Sequence, residues 1–178
     1  GDFVRFRYGL PEKIGGWEEI LNSTLIGAVR EQLVWADLDG RKYVALGTSK
    51  VLVIYYGGAF YDITPLESAI TGATFDATLN DPVVTVNKVA HGLEAGDLFT
   101  FTSVTVPTGS GYTTGAFEDQ TFEVITVPTV DTFTVTMATN SAGNTSGTGS
   151  AVINPYITVG PLNQSFGYVF LNGVVNYP

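Results

Sequence analysis

The sequence has 178 residues, of which 44% are hydrophobic, and it carries a formal net charge of −9 with one histidine and no cysteine. This length and apolar content suffice for one or two packed domains. The lack of cysteine excludes disulfides and thiolate metal sites, and no apolar run approaches the roughly 20 residues that would span a bilayer.

The first stretch of the chain predicts one short strand and leaves one segment open. Residues 2–8 alternate between an apolar side and a side that bears Arg5 and Arg7, which is typical of a strand, and Gly-Leu-Pro at 9–11 ends it. Residues 25–33 have possible helical spacing, but Gly27 leaves helix, strand and loop open. Because the sequence starts with glycine rather than methionine, we expect it to begin inside a longer polypeptide.

A four-stranded antiparallel meander is predicted between residues 33 and 65. Its apolar runs are 33–36, 43–46, 51–56 and 60–63, and the chain reverses at Asp39-Gly40, at 47–50 and at Gly57-Gly58. Asp-Gly between apolar runs is a strong hairpin signal, because glycine adopts the positive φ of a tight reversal freely. One such sheet cannot bury both faces, so it must lie against another sheet or against copies of itself, as propeller blades do. Trp35 is expected to be buried there.

The second part of the chain predicts a small β-barrel or sandwich. Five candidate strands, rich in threonine, valine and phenylalanine, cover 74–79, 83–89, 98–104, 121–127 and 132–137. Residues 140–150 lack bulky side chains and predict a flexible loop, whereas 151–159 are extended and Asn172-Gly173 predicts a last hairpin. We therefore predict an all-β fold, in which an inserted small β-barrel (70–153) interrupts a propeller-blade-type meander sheet (1–69) that return strands (154–178) rejoin.

The charge is distributed unevenly between these two parts. Residues 1–66 hold seven basic and eight acidic side chains, whereas residues 67–178 hold one basic and nine acidic side chains. A surface this acidic repels nucleic-acid phosphates, so the second part is not expected to bind DNA directly.

The candidate catalytic and metal-binding residues do not form a recognisable motif. His91 has no second histidine or thiol beside it, so we interpret it as a turn residue that bonds backbone groups. Glu118, Asp119 and Glu123 lack the spacing of a calcium loop and are interpreted as a solvated acidic edge. Asp37 and Asp39 could pass for a catalytic carboxylate pair, but Asp39 is already explained by the Asp-Gly turn.

Nucleophile, phosphate and sugar sites are no better supported. Ser103, Ser110 and Ser165 lie in no nucleophile elbow, and no glycine-rich loop is followed by Gly-Lys and a helix. Exposed aromatic rings could stack on sugars, and the candidates are Tyr55, Tyr56, Phe60 and Tyr61. We predict no catalytic, cofactor or metal site, and keep sugar binding as an alternative.

Two sets of segments resemble known virion proteins. Residues 1–17 (GDFVRFRYGLPEKIGGW), 35–40 (WADLDG) and 56–65 (YGGAFYDITP) resemble the opening of tail hub or nozzle proteins of tailed bacteriophages. Residues 84–97 (VTVNKVAHGLEAGD) and 131–135 (DTFTV) are similar to the small β-barrel module, itself similar to the FCCH domain of ubiquitin-activating enzymes, that is often inserted in such proteins.

This resemblance implies a structural virion protein of the phage tail without enzymatic activity, cofactor or metal. It implies a propeller-like scaffold that assembles as a homo-oligomeric ring beneath the portal and adaptor and contacts other tail and adaptor proteins. DNA would pass through this ring only transiently and without sequence specificity. A carbohydrate-binding tailspike or fibre module, or a fragment of a secreted glycan-active enzyme, stays open as an alternative.

Overall fold

The computed structural model describes residues 4–8, 10–13, 24–118, 120–157, 169–171 and 174–176. Their regular elements are strands that pair in antiparallel fashion, apart from one helical turn, α1 (Gly115–Glu118). The predicted all-β fold is therefore confirmed. Within the described ranges, no helix has the length and apolar character needed to cross a membrane.

The first described strands form a hairpin that the sequence did not predict. β1 (Val4–Arg7) pairs with β2 (Leu10–Lys13), so the chain continues in extended form beyond the point where we expected a single strand to end. Residues 25–33, left open above, are not helical, because Gly27 has a φ of +83° and a strand begins at Val29. The start of this segment crosses the end of a hairpin, where Ala28 N donates to Ser49 Oγ at 3.2 Å.

The predicted meander is present and is called the meander sheet below. It consists of β3 (Val29–Ala36), β4 (Lys42–Thr48), β5 (Leu52–Tyr56) and β6 (Ala59–Asp62), paired in chain order. Gly40 has a φ of +80° and donates its N–H to Asp37 O at 3.0 Å, which closes a turn over Leu38 and Asp39. Gly57 and Gly58 both have positive φ in the next tight reversal.

The second sheet has seven strands and is called the curled sheet. They are β7 (Ile70–Ala77), β8 (Val83–Asn87), β9 (Leu98–Thr105), β10 (Thr121–Glu123), β11 (Thr126–Thr129), β12 (Thr132–Thr136) and β13 (Thr145–Pro155), in the spatial order β10-β9-β13-β7-β8-β12-β11. The predicted strand 121–127 is thus two edge strands. Between them, Val124 N donates to Asp97 O and Ile125 N donates to Thr134 O, each at 2.9 Å, so the two edges of the sheet are drawn together.

The predicted flexible loop at 140–150 is wrong for its second half. β13 starts at Thr145 and lies between β7 and β9, in the interior of the curled sheet. Gly147 and Gly149 have positive φ, and the register between β13 and β7 shifts on both sides of Thr148. The two glycines therefore allow β-bulges in this strand. A Cβ on Gly149 would lie 2.5 Å from Thr105 O, so the glycine permits a close backbone approach.

The core of the curled sheet consists of phenylalanine rings that alternate along its strands. Phe75, Phe99, Phe101 and Phe133 are all 0% exposed, and Phe117 from α1 joins them at one end. The rings meet mostly edge to face, for example Phe99 and Phe133 with centroids 5.5 Å apart. The curled sheet thus has a hydrophobic core of its own.

The last described strands, β14 (Val169–Leu171) and β15 (Val174–Asn176), form the antiparallel hairpin that Asn172-Gly173 predicts. β14 lies close to β3 of the meander sheet. The division into 1–69, 70–153 and 154–178 stays a prediction.

We expect Phe133→Ala to lower the free energy of unfolding by about 3–5 kcal/mol, because it removes a fully buried ring from the centre of the core. Thr136→Ala, on the same strand but exposed, is the control and should change this free energy by less than about 1 kcal/mol. Urea unfolding followed by circular dichroism measures both. Equal effects of the two substitutions would contradict the assigned core.

Candidate functional surface

Part of the inner face of the meander sheet packs against the curled sheet. Val51, which directly precedes β5, and Val53 of β5 form one buried cluster with Leu98 of β9 and with Tyr156, which follows β13. We call these four residues the junction cluster. Partly buried apolar side chains surround it, namely Leu25, Ile26, Leu46 and Phe60. Both sheets therefore share an apolar contact that positions one against the other.

Polar contacts reinforce this junction. Tyr156 Oη donates to Asp62 Oδ2 at 2.7 Å and lies 3.1 Å from Thr121 Oγ1, so one hydroxyl links β6 to the curled sheet. Lys50 Nζ contacts Glu123 Oε1 at 3.0 Å. The connecting backbone is also paired, because Ile157 N donates to Pro65 O and Glu67 N donates to Pro155 O.

The outer face of the meander sheet is mostly apolar and consists of three cross-strand rows. One row is Leu33, Ala45, Ile54 and Tyr61, as the register of all four strands shows. A second row contains Trp35, Tyr43 and Tyr56. A third runs from Glu31 through Gly47 to Leu52 and Ile63, whose N–H donates to Leu52 O. An antiparallel sheet with one solvated face normally alternates polar residues onto that face. This outer face departs from that rule, because Glu31 is the one charged side chain in these rows, and Ala45 and Leu52 are buried there.

The second row is a stack of rings, which we call the aromatic stripe. Trp35 and Tyr43 have centroids 5.3 Å apart at 16°, and Tyr43 and Tyr56 have centroids 4.6 Å apart at 22°. Both faces of Tyr43 are therefore covered by neighbouring rings. Trp35, which we expected to be buried, is 37% exposed because it ends the stack near the edge of the sheet.

Asp37 orients the aromatic stripe from the β3–β4 turn. Its carboxylate accepts hydrogen bonds from Arg41 N at 2.8 Å and from Tyr43 Oη at 3.1 Å. Arg41 Nη1 also lies 3.2 Å from Asp39 Oδ2, so both aspartates belong to the turn. Partial burial, and then the hydrogen bond to Asp37, raise the pKa of Tyr43 above its ordinary value of 10.0.

His91 is a buried turn residue, as its sequence context indicated. Its Nδ1 accepts a hydrogen bond from Leu93 N at 3.0 Å, and its ring lies edge to face against Phe133 with centroids 5.0 Å apart. His91 also borders a groove of about 890 Å³ beside Glu94 and Asp97. No set of three metal-ligating side chains occurs among the described residues.

The other candidate residues hold local structure. Glu118 Oε1 accepts Val104 N at 2.7 Å, whereas Glu123 pairs with Lys50 across the junction, so the two glutamates have separate roles. Ser110 is buried in a turn, where its Oγ donates to Pro107 O at 2.7 Å. Ser103 is an exposed residue of β9. Asp119 and Ser165 lie outside the described residues.

The four aromatic residues considered for sugar stacking do not form a platform. Phe60 packs against the junction cluster and meets Tyr55 edge to face, while Tyr56 stacks on Tyr43. Tyr61 is 53% exposed. Because sugar rings stack on free aromatic faces, this arrangement does not favour the carbohydrate alternative.

Sequence patterns did not identify the junction cluster, whose members come from distant parts of the chain. One local signal was available at Asp62, which is two residues before Thr64. Asp62 Oδ1 accepts both Thr64 N at 2.9 Å and Thr64 Oγ1 at 2.6 Å, which is an ordinary Asx turn. That turn fixes the carboxylate that Tyr156 reaches.

We expect Tyr43→Ala to destabilise the protein more than Trp35→Ala. Tyr43 stacks on two rings and bonds Asp37, whereas Trp35 stacks on one ring and is partly exposed. One aromatic pair contributes about 0.5–1.5 kcal/mol beyond burial, so Trp35→Ala should cost well below the 3–5 kcal/mol typical of a fully buried tryptophan. Urea unfolding compares them, and a larger loss for Trp35→Ala would contradict the stacking order.

We expect Asp37→Asn to lower the pKa of Tyr43 towards 10.0, because the substitution removes a negative charge that opposes tyrosinate. Because the pKa of Tyr43 is raised in the folded state, protonated Tyr43 contributes to the free energy of unfolding. This contribution is fully present below pH 10 and is lost as the pH rises through the folded-state pKa. Spectrophotometric titration of tyrosinate, with Tyr43→Phe subtracted, measures the shift. An unchanged pKa in Asp37→Asn would contradict the assigned cause.

Comparisons with known proteins leave the family of this chain open. No protein-family model matches the sequence, and no curated protein matches it either. Among solved structures, the chain is similar to the phage phi92 endosialidase, with 19% identity and a TM-score of 0.38. The match covers 84% of this chain and 21% of that chain, so this chain spans about a fifth of that protein's length. A likeness this slight carries no inference about function.

Proposed function

We propose that this chain is a structural component of a tailed-bacteriophage tail, and that the outer face of its meander sheet contacts neighbouring subunits. The tail assignment rests on the sequence resemblance of residues 1–17, 35–40, 56–65, 84–97 and 131–135. More specifically, we propose that the chain belongs to a homo-oligomeric hub or nozzle ring in the virion, next to other tail and adaptor proteins.

The apolar outer face is the observation that carries this proposal. The curled sheet covers part of the inner face. On the outer face Ala45 and Leu52 are buried, whereas Trp35, Tyr61 and Ile63 are 37%, 53% and 45% exposed. Aromatic residues and arginine are enriched where subunits meet, and Arg41 shares the carboxylate of Asp37 with Tyr43 of the aromatic stripe. A neighbouring subunit that covers this face would remove its apolar surface from water.

A structural role also fits the chemistry of the candidate residues. His91, Glu118 and Ser110 each hold a backbone N–H or carbonyl group in a turn or at a strand. Such hydrogen bonds stabilise a scaffold. In none of them is a nucleophilic side chain paired with a side chain that could act as its base.

The charge distribution suggests how the two sheets divide their roles. The part that contains the curled sheet has nine acidic side chains and one basic side chain, whereas the part that contains the meander sheet is nearly neutral. Like charge keeps neighbouring curled sheets apart, and it would let DNA pass without adhering. We therefore propose that the meander sheet builds the assembly and the curled sheet lies outside the subunit contact.

We expect the double substitution Tyr61→Lys and Ile63→Lys to shift the chain to a smaller assembly, because it places two charges on the proposed contact. The matched control is Val127→Lys with Val130→Lys, which charges exposed apolar positions on the curled sheet. Analytical ultracentrifugation of the wild type and both variants, with circular dichroism to verify folding, measures the effect.

The proposal predicts a concentration-dependent oligomer for the wild type and the control, and a loss of mass for the outer-face variant alone. A wild type that stays monomeric at all concentrations, or a control that dissociates while the outer-face variant assembles, would overturn it. Electron microscopy of tails that carry a labelled chain tests the virion location separately.

A further inference from the structure

One edge of the meander sheet has backbone groups that no described strand uses. β6 pairs with β5 on one side, where Tyr56 opposes Ala59 across the two-glycine turn and Ile63 N donates to Leu52 O at 2.9 Å. In an antiparallel pair, residues alternate between bonding the partner and pointing away from it. The N–H and C=O groups of Phe60 and Asp62 therefore point away from β5, and none of the described strands pairs with them.

An apolar groove of about 390 Å³ follows the same edge. It lies between residues 24–26 and β6, on the inner side of the meander sheet. The apolar lining side chains are Leu25, Ile26, Val51, Val53 and Phe60. Asp62 is the one charged residue that lines it, and its carboxylate already accepts Thr64 and Tyr156.

We infer that β6 and this groove bind an extended peptide segment of a partner protein, which adds to the meander sheet as a further strand. Main-chain hydrogen bonds to Phe60 and Asp62 supply the alignment, and an aliphatic side chain of the segment fills the groove. The Asp62 carboxylate disfavours acidic segments and favours a lysine or arginine beside it. The preferred ligand is thus a short strand with aliphatic residues at alternate positions and no carboxylates.

This edge is distinct from the outer face in the proposed function. A strand that adds to β6 contacts the inner side of the sheet beside the junction, whereas Tyr61 and Ile63 project from the opposite side. The peptide site therefore stands whether or not the chain belongs to a phage tail.

The test uses end-blocked hexapeptides in which valine, isoleucine or leucine alternates with threonine, lysine or glutamate. The full chain is screened against this set by fluorescence anisotropy. Each peptide that binds is then resynthesised in two versions, one with N-methyl groups on the odd-numbered amides and one with N-methyl groups on the even-numbered amides. These two versions are called the two N-methyl phases. Thr24→Trp, which places a large ring at the exposed rim of the groove, is compared with Thr108→Trp in an exposed loop of the curled sheet.

We expect binding of lysine-bearing peptides, a loss of affinity of at least about tenfold for one N-methyl phase, and a similar loss in Thr24→Trp but not in Thr108→Trp. Binding that tolerates both N-methyl phases, or that Thr24→Trp leaves unchanged, would overturn strand addition at β6. Absence of binding across the whole set would overturn it as well. A chain that dimerises through β6 instead, detected as loss of the dimer in Thr24→Trp, would identify a second copy as the occupant and overturn the assigned partner.

Discussion

The contact between the two sheets is the interaction on which the rest of the structure depends. A four-stranded meander with two apolar faces is not stable alone in water, and the curled sheet covers part of one of those faces through Leu98 and Tyr156. The Tyr156 hydroxyl, bonded to Asp62, gives this apolar contact a defined orientation. The positions of the outer face and of the β6 edge relative to the curled sheet follow from that orientation.

Local turn chemistry and alternation predicted much of the fold. Gly40, Gly57 and Gly58 have positive φ, so these glycines marked the reversals of the meander sheet correctly. The same logic failed at β13, because a segment rich in glycine, serine and threonine has the composition of a flexible loop. Gly147 and Gly149 instead permit bulges and a close backbone approach, which depend on the strands on either side and are invisible in the local sequence.

The candidate surface was less predictable than the fold. The role of His91 followed from its local turn, but the junction cluster joins residues that are far apart in the sequence, and only the tertiary arrangement brings Val53 to Leu98. The expected burial of Trp35 was wrong, because strand alternation gives the face of a residue and not its distance from the edge of the sheet. The apolar outer face becomes recognisable only when the register aligns its rows across all four strands.

A double-mutant cycle between Tyr156→Phe and Asp62→Ala tests the central contact most directly, because these two side chains join β6 to the segment after β13. The free energy of unfolding is measured by urea denaturation for the wild type, both single variants and the double variant. If the two sheets are held together as described, the coupling energy should be about 0.5–3 kcal/mol. Additive effects, with a coupling energy below about 0.3 kcal/mol, would contradict a junction that this pair stabilises.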